Sequence, residues 1–365
     1  MVTEIKGVVI IAAKRTPVRT FGGDFAGIRA VDLALPAVNA AIQHAPILPD
    51  HIDGLIFGMS ATTGSGPNVA RQIALAAQLP QAYATTFAMQ EAADLQSILY
   101  AAQTISDGHA DMMIAGGVAA LSQMPYLLRQ PRFGILAGNQ VIEDSTLTDM
   151  IGEGLLSEKM TEIFSGSFSE DELKDYMQVS RQRAQSWREN AAYNTLTPVM
   201  IQRKREKISI YEDDYAASGN DYALADGASC LMLCGKNKAK KLGLKPLAEI
   251  KGFARVAVSP KDPHLPSVSA VKLILARQKL LLSAIQHLEY IDISPLHALI
   301  FARLLALKAN SLNPRGSTFV YGNLIGANCV RALVDMLTVP KPGMQLLASC
   351  GGGGQGISLL LEVYS

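Results

Sequence analysis

The chain has 365 residues, of which 49% are hydrophobic and 18% charged, which is the composition of a globular protein with a large apolar core. Its 33 basic residues nearly balance 32 acidic ones, the formal net charge is +1, and no basic block stands out. These features exclude a disordered or fibrous chain and argue against nucleic-acid or anionic-membrane binding.

The beginning of the chain carries a short apolar run, residues 8–13, that is cut off by Lys14 and Arg15. This run is too short for a signal peptide or a membrane span, so we expect a cytoplasmic protein. The cysteines show no convincing metal-ligand spacing, which predicts buried free thiols and no metal site. They are Cys230, Cys234, Cys329 and Cys350.

Several uninterrupted apolar runs predict strands that are buried on both faces of a sheet. In chain order they are residues 7–13, 53–59, 110–117, 228–234 and 356–364. Apolar residues at helical spacing predict helices in most of the segments between and around them. These helices cover residues 29–43, 68–77, 91–107, 169–192, 266–282, 295–309 and 327–337. The pattern is typical of an α/β fold.

The middle of the chain, residues 121–220, is more polar and rich in methionine and glutamate, which indicates an inserted or lid domain. A two-fold duplication also remains open, because the apolar helices 91–107 and 327–337 both follow loops with unusual polar residues. Glycines concentrate at residues 351–354, where the backbone has to approach a neighbour closely or adopt positive φ.

Several sequence segments, read in order, resemble the thiolase family almost end to end. They are VVIIAAKRTPV (8–18), FGGDFAG (21–27), NVARQ (68–72), ADMMIAGG (110–117), SGN (218–220), DGA (226–228) and CGGGGQG (350–356). The resemblance implies a thiolase fold, with two similar α/β halves in five αβαβα layers and an inserted loop domain. It also implies a homodimer or homotetramer.

On this resemblance, residues 1–120 and 190–245 would form the first half of the fold. Residues 121–189 would form the inserted loop or lid domain, and residues 246–365 the second half.

Thiolases use a cysteine nucleophile at the start of a helix, and in this chain the matching position is Glu91. The family pattern Cys-(Ser/Gly)-(Ser/Gly)-Gly-Leu reads Glu-Ala-Ala-Asp-Leu at residues 91–95. A carboxylate is also favourable at a helix start for local reasons, so both a structural and a catalytic role stay open for Glu91.

Two further family elements carry the remaining chemistry. The Gly-His-Pro element reads Gly322-Asn323-Leu324, and asparagine can donate a hydrogen bond to an oxyanion but cannot act as a general base. Cys350 is retained at the position of the family's acid/base cysteine, and Gly352 aligns with an oxyanion-pocket donor. The alternative is that Cys350 is an inert core thiol beside a glycine run that the fold requires.

The other substrate-binding elements are altered. The Asn-Glu-Ala-Phe element is expected at residues 298–302, where Phe301 and Ala302 remain, and the nearby His297 is predicted to be a cap or a surface residue. The coenzyme A segment runs from Ser218 and places Tyr222 where the family has a small serine, and Gly322 is a further substrate-binding candidate.

By resemblance, the chain is therefore a thiolase-like acyltransferase with coenzyme A or an acyl-CoA as ligand and no covalently bound cofactor. Because the cysteine and histidine are replaced by Glu91 and Asn323, we expect no normal thiolase activity, and a role as a binding or partner subunit, with a protein partner. The alternative is an acyl-CoA enzyme of altered mechanism, with Glu91 as general base, Asn323 as oxyanion donor and Cys350 as acid or nucleophile. A conventional acetyl-CoA acetyltransferase is disfavoured, because its nucleophile is absent.

Overall fold

A computed structural model of the chain describes residues 5–44, 47–129, 131–135, 137–146, 162–190, 196–215 and 223–364. The strands are β1 (Val8–Arg15), β2 (Arg19–Thr20), β3 (Gly54–Gly58), β4 (Tyr83–Phe87), β5 (Met112–Ala119), β6 (Tyr126–Leu128), β7 (Ile142–Asp144), β8 (Val199–Arg203), β9 (Glu206–Ile210), β10 (Ala225–Gly235), β11 (Ala248–Ala257), β12 (His287–Tyr290), β13 (Gly343–Gly351) and β14 (Gln355–Val363). The helices are α1 (Ala30–His44), α2 (Val69–Ala76), α3 (Ala93–Ser106), α4 (Glu170–Asn190), α5 (Lys236–Lys241), α6 (Pro266–Gln278), α7 (Pro295–Leu304), α8 (Thr318–Tyr321) and α9 (Asn328–Thr338).

A large mixed sheet runs in the order β12-β13-β14-β11-β1-β10-β5-β3-β4, and the short β2 pairs with the beginning of β10. The strands of the first half meet those of the second half where β1 pairs with β11, at Val9–Glu249 and Ile10–Ala248. Backbone pairing therefore makes the sheet continuous, but in the described residues only these two residue pairs join its two halves.

Three apolar clusters show how the helices are layered on the sheet. One cluster packs α1 and α2 against the first half, and another packs α6 and α7 against the second. The cluster between them joins α3 and α9 to strands of both halves, through residues such as Leu95 and Leu333. Helices and sheet halves thus alternate in five layers, which confirms the thiolase fold expected from the sequence.

The predicted strands and helices agree with the observed ones within a few residues, with two kinds of difference. Helices α6 and α7 end earlier than predicted, because Lys279 and Ala306 adopt left-handed backbone conformations with φ of 53° just after them. The sequence pattern does not predict the short strands β2, β4 and β6–β9, and it also misses β11, β12 and β13. Charged and polar residues interrupt their apolar pattern, among them Glu249, Glu289 and Gln345, all of which are nevertheless buried.

Part of the predicted insertion lies outside the large sheet. The described elements of the insertion include the hairpin β6–β7 and helix α4. The buried residues Tyr176 and Ala184 of α4 pack against α7 and α8. The proposed domain boundaries, 121–189 for the insertion and 245/246 between the halves, stay predictions. Among the described residues, no helix is both long and apolar enough to cross a membrane.

Candidate active site

Glu91 lies in a tight turn directly before helix α3, which is one of the helices of the middle layer. After β4 ends, residues Gln90–Ala92 form a single 3-10 turn that leads directly into α3. Gln90 has a left-handed backbone conformation, with φ of 46°, and its carbonyl accepts a hydrogen bond from the Ser60 hydroxyl. The turn buries Glu91, which is only 7% exposed.

The Glu91 carboxyl occupies an environment that favours its protonated form. Burial raises its pKa above the ordinary value, and the main-chain amides of Glu91 and Gly352 oppose this rise. Within the described part of the chain, Glu91 Oε2 is buried without a hydrogen-bond partner. Burying an oxygen without a hydrogen bond costs free energy. A ligand that donates a hydrogen bond to Oε2 would remove this cost.

The glycine run after β13 allows the close approach of the turn before Glu91. A Cβ atom on Gly352 would collide with the side-chain amide of Gln90, and one on Gly351 would lie 3.1 Å from the Met89 carbonyl oxygen. The two glycines therefore let the turn before Glu91 lie directly on this loop. The structure thus brings the predicted residues Glu91 and Gly352 together.

Cys350 lies at the end of β13 and is buried. Burial raises the pKa of its thiol to about 12, and the nearby Glu91 carboxyl adds to this effect, while the Tyr290 hydroxyl opposes it. The thiol is therefore protonated at neutral pH. In this state Cys350 is suited to give up a proton as an acid rather than to act as a resting thiolate nucleophile.

Asn323 is held in place by its backbone and by one side-chain oxygen. Its amide donates to the Ala223 carbonyl at 2.7 Å, and its Oδ1 accepts from Nδ2 of Asn328 at 2.6 Å. In the described structure its Nδ2 is buried and has no partner. The side chain therefore presents a free donor, as an oxyanion donor would.

The preceding residue, Gly322, has a φ of 105°, and a Cβ there would lie 2.7 Å from the Ala225 Cβ. Its close packing on β10 accounts for the glycine, whatever its part in substrate binding. Just after this loop, in the first turn of α9, Cys329 Sγ lies 3.8 Å from the Glu91 carbonyl oxygen. The loop that carries Asn323 is thus packed on the turn that carries Glu91.

Asp94 is a second buried acid that the sequence analysis did not single out. Its Oδ2 accepts from the Val330 amide at 2.7 Å and its Oδ1 from the Leu95 amide at 2.8 Å, so it lies at the starts of both α9 and α3. Burial raises its pKa to about 6, although these amides and the Cys329 thiol oppose the shift. Its position one turn after Glu91 on a predicted helix start was the available signal.

The segment predicted to hold the Asn-Glu-Ala-Phe element, residues 298–302, lies inside α7 and is buried and apolar. A polar cluster lies instead just beyond the end of β12, around Asp292. This carboxylate accepts hydrogen bonds from the Thr318 amide at 2.8 Å, from Asn313 Nδ2 at 2.8 Å and from the Tyr176 hydroxyl at 3.3 Å. Burial raises the pKa of Asp292 to about 7.

The prediction that His297 is a cap or surface residue is wrong. Ser294 caps α7 instead, since its hydroxyl accepts from the His297 amide, and the imidazole is 2% exposed. His297 lies in the first turn of an apolar helix whose buried face includes it, and burial lowers its pKa to about 4. Ser218 and Tyr222, the predicted coenzyme A contacts, lie outside the described residues.

The remaining cysteines match their prediction. Cys230 and Cys234 lie on β10, and all of the cysteines are free and buried. Burial raises the pKa of Cys230 to about 12 and of Cys234 to about 11, so these thiols are core residues without thiolate character.

Comparison with known proteins places this geometry in a family. The family model of the thiolase N-terminal domain matches residues 8–222, and that of the thiolase C-terminal domain matches residues 244–363. A probable acetyl-CoA acyltransferase of Staphylococcus aureus (strain NCTC 8325 / PS 47) is 31% identical over 391 residues, covering 98% of this chain and 99% of the relative.

Solved structures agree. The Bacillus anthracis acetyl-CoA acetyltransferase is 27% identical with a TM-score of 0.93, covering 99% of this chain and 100% of that one. A thiolase of Ascaris suum in complex with coenzyme A is 25% identical with a TM-score of 0.89, covering 98% of this chain and 100% of that one. The chain therefore belongs to the thiolase family.

Proposed function

We propose that this protein binds acyl-CoA thioesters and moves a proton at the carbon next to the thioester carbonyl, without forming an acyl-enzyme. The single observation that carries the proposal is the pair of unpartnered buried atoms, Glu91 Oε2 and Asn323 Nδ2, among the described residues. One is an acceptor suited to take a proton, and the other is a donor suited to a carbonyl oxygen. The thioester class is supported by the acyl-CoA names of the relatives.

The roles follow from the chemistry of each group. The Glu91 carboxylate would take a proton from the α-carbon, and the electron pair of that C–H bond would move toward the thioester oxygen. Asn323 would donate a hydrogen bond to the enolate oxygen formed in this way. The raised pKa of Glu91 suits a general base, because a carboxylate with a higher pKa takes up a proton more readily.

In this reaction Cys350 would be the proton donor. Its pKa of about 12 keeps the thiol protonated, so it could return a proton to the opposite side of the enolate. Protonation there by Cys350 would restore the thioester. Glu91 would then release its proton to the solvent, and the Cys350 thiolate would take one up from the solvent, which returns both groups to their starting states. The net result in heavy water is exchange of α-hydrogens for deuterium.

The test is deuterium incorporation into acetyl-CoA in heavy water, followed by mass spectrometry. We expect incorporation with the wild-type protein and a loss of about 100-fold or more with Glu91→Gln, since general-base catalysis contributes on this scale. Glu362→Gln, which changes a partly exposed carboxylate paired with Lys251, serves as the matched control and should behave as wild type. Equal incorporation by Glu91→Gln and wild type would overturn the general-base role.

A second candidate function, a binding or partner subunit without catalysis, is favoured by one observation. The Gly352 amide lowers the pKa of the Glu91 carboxyl, so the donor aligned with the oxyanion pocket lies beside an acid whose negative charge would repel an oxyanion. This candidate predicts that calorimetry detects acetyl-CoA binding in the micromolar range, roughly −8 kcal/mol, while no deuterium is incorporated. Absence of both binding and exchange would contradict the acyl-CoA proposal and direct the search to protein partners.

A further inference from the structure

Tyr290 lies beside Cys350 on the sheet of the second half. It is the last residue of β12, which runs parallel to β13, and it is paired with Ala348. Because side chains alternate along a strand, Cys350, two residues farther along β13, projects from the same face as Ala348. Tyr290 and Cys350 are therefore diagonal neighbours on one face at the ends of two adjacent strands.

The Tyr290 ring has little freedom to move. It stacks on Phe301 with ring centroids 3.9 Å apart and an interplanar angle of 4°, and the side chain is 5% exposed. Its own backbone amide donates to Asn313 Oδ1 at 2.7 Å. The ring is thus fixed by packing on one side and by the backbone at its base.

The hydroxyl of this fixed ring interacts with two groups: it lowers the pKa of the Cys350 thiol, and the Ser267 hydroxyl of α6 lowers the pKa of Tyr290 in turn. A phenol has one proton to donate and can accept another. Ser267 can therefore donate to the Tyr290 oxygen, which leaves the Tyr290 proton for the Cys350 sulfur.

We propose that Tyr290 is a positioning residue for Cys350, whose hydroxyl donates a hydrogen bond to the Cys350 sulfur and is itself oriented by Ser267. The inference rests on the proposed function, in which Cys350 gives up a proton. When that proton leaves, the sulfur becomes a thiolate in an apolar environment, and the Tyr290 hydroxyl is the donor that stabilises it. The hydrogen bond also fixes the direction of the thiol relative to Glu91.

The test measures how readily Cys350 forms a thiolate. Iodoacetamide modification of Cys350 is followed from about pH 8 to about pH 10 by mass spectrometry of its peptide, since only the thiolate reacts. Tyr290→Phe keeps the ring that stacks on Phe301 and removes only the hydroxyl. The matched control is Tyr321→Phe, which removes another buried hydroxyl, one that donates to the Arg315 carbonyl at 2.8 Å.

We expect Tyr290→Phe to slow the modification about tenfold across this pH range, as expected for loss of one hydrogen bond to a thiolate. Tyr321→Phe should leave the rate unchanged. Ser267→Ala should also slow the modification of Cys350, but by a smaller factor. If Tyr290→Phe does not fold, Ser267→Ala is used for the test in its place. A merely structural role for Tyr290 would change stability without this shift in the pH profile.

Two outcomes would overturn the proposal: equal rates in wild type and Tyr290→Phe, or a wild-type Cys350 that does not react at all. Acetyl-CoA calorimetry on the same preparations separates this proposal from the proposed function. If the wild-type protein fails to bind acetyl-CoA, the proposed function fails, while the modification rates still decide the role of Tyr290. If it binds and the rates are equal, only the Tyr290 proposal fails.

Discussion

The main-chain amide of Gly352 lowers the pKa of the Glu91 carboxyl, so the glycine loop of the second half acts on the acid that precedes the central helix of the first half. The Glu91 carboxyl is deeply buried, and its Oε2 has no hydrogen-bond partner in the described chain. A buried acid that is only half satisfied favours its neutral form. The free energy of unfolding therefore depends on pH through the protonation of Glu91.

Replacing Glu91 by glutamine should flatten the dependence of stability on pH. Because the pKa of Glu91 is raised in the folded protein, the folded state holds a proton that the unfolded state has lost, and the free energy of unfolding falls as pH rises. The fall begins near the unfolded value of about 4.3 and ends above the folded pKa. We expect urea denaturation between about pH 4 and about pH 8 to show a steeper fall for wild type than for Glu91→Gln.

Glutamine keeps an oxygen that can accept from the Gly352 amide, so the comparison isolates the titrating proton. Glu362→Gln, remote from the site, should retain the wild-type slope. Parallel stability curves for wild type and Glu91→Gln would show that the Glu91 pKa is not raised in the folded protein.

Restoring the family residues should restore thiolysis if the surrounding frame is intact. A cysteine at position 91 would start the same helix, where the helix dipole favours a thiolate, and a histidine at position 323 would supply the missing base. We expect the double variant Glu91→Cys, Asn323→His to cleave acetoacetyl-CoA in the presence of coenzyme A, measurably above the wild-type background. The same variant with Cys350→Ala added is the control and should be inactive.

If the double variant does not cleave acetoacetyl-CoA, residues other than those at positions 91 and 323 prevent thiolysis. Asp94 and Cys329 are the first residues to examine in that case, because their buried side chains pack against each other beside the Glu91 backbone. The family pattern has a glycine at the position of Asp94, so the carboxyl adds volume at the start of α3.

The sequence predicted the fold, because the fold depends on local apolar periodicity and on residues that the family resemblance aligns. The same resemblance assigned Glu91, Cys350 and Gly352 to one candidate site, and that assignment stays a prediction. The sequence could not predict the environment of His297. A helix start looks alike in sequence whether it faces solvent or, as here, packs into an apolar cluster with α4 and α8. Burial of that residue depends on packing between distant segments.

Asp292 and Tyr290 were missed for a related reason. Both lie at or just after the end of β12, a strand whose sequence alternates polar and apolar residues over a few positions and carries no strong signal. Their importance comes from partners far along the chain, Tyr176 for Asp292 and Cys350 for Tyr290. Such pairs become visible only when the layers are assembled.

Asp292 should impose its own pH dependence on stability. Its pKa rises from 3.8 to about 7 on folding, so the free energy of unfolding should fall between these values, by about 4 kcal/mol for this fully buried group. Asp292→Asn should remove this fall, although its amide would face the Asn313 amide and lower stability at acid pH. Denaturant titrations at about pH 4 and about pH 8 measure the difference.

The control for this comparison is Asp111→Asn, an exposed carboxylate paired with Lys238, which should keep the wild-type pH dependence. If Asp292→Asn falls in stability with pH as steeply as wild type, the carboxyl of Asp292 stays ionised throughout and its hydrogen bonds outweigh burial.

The two halves are also joined by a buried ion network centred on Asp335 of α9. Its Oδ1 lies 2.8 Å from Nε of Arg15 on β1, its Oδ2 lies 2.8 Å from Nη1 of Arg331, and Arg15 also pairs with Asp213 at 2.8 Å. Asp335→Asn leaves two buried guanidinium groups short of negative charge. We expect a loss of about 3–5 kcal/mol in the free energy of unfolding, measured by urea denaturation. Asp32→Asn breaks the exposed pair with Arg29 and should cost under about 1 kcal/mol, so equal costs for the two variants would show that the buried network is no more stabilising than a surface pair.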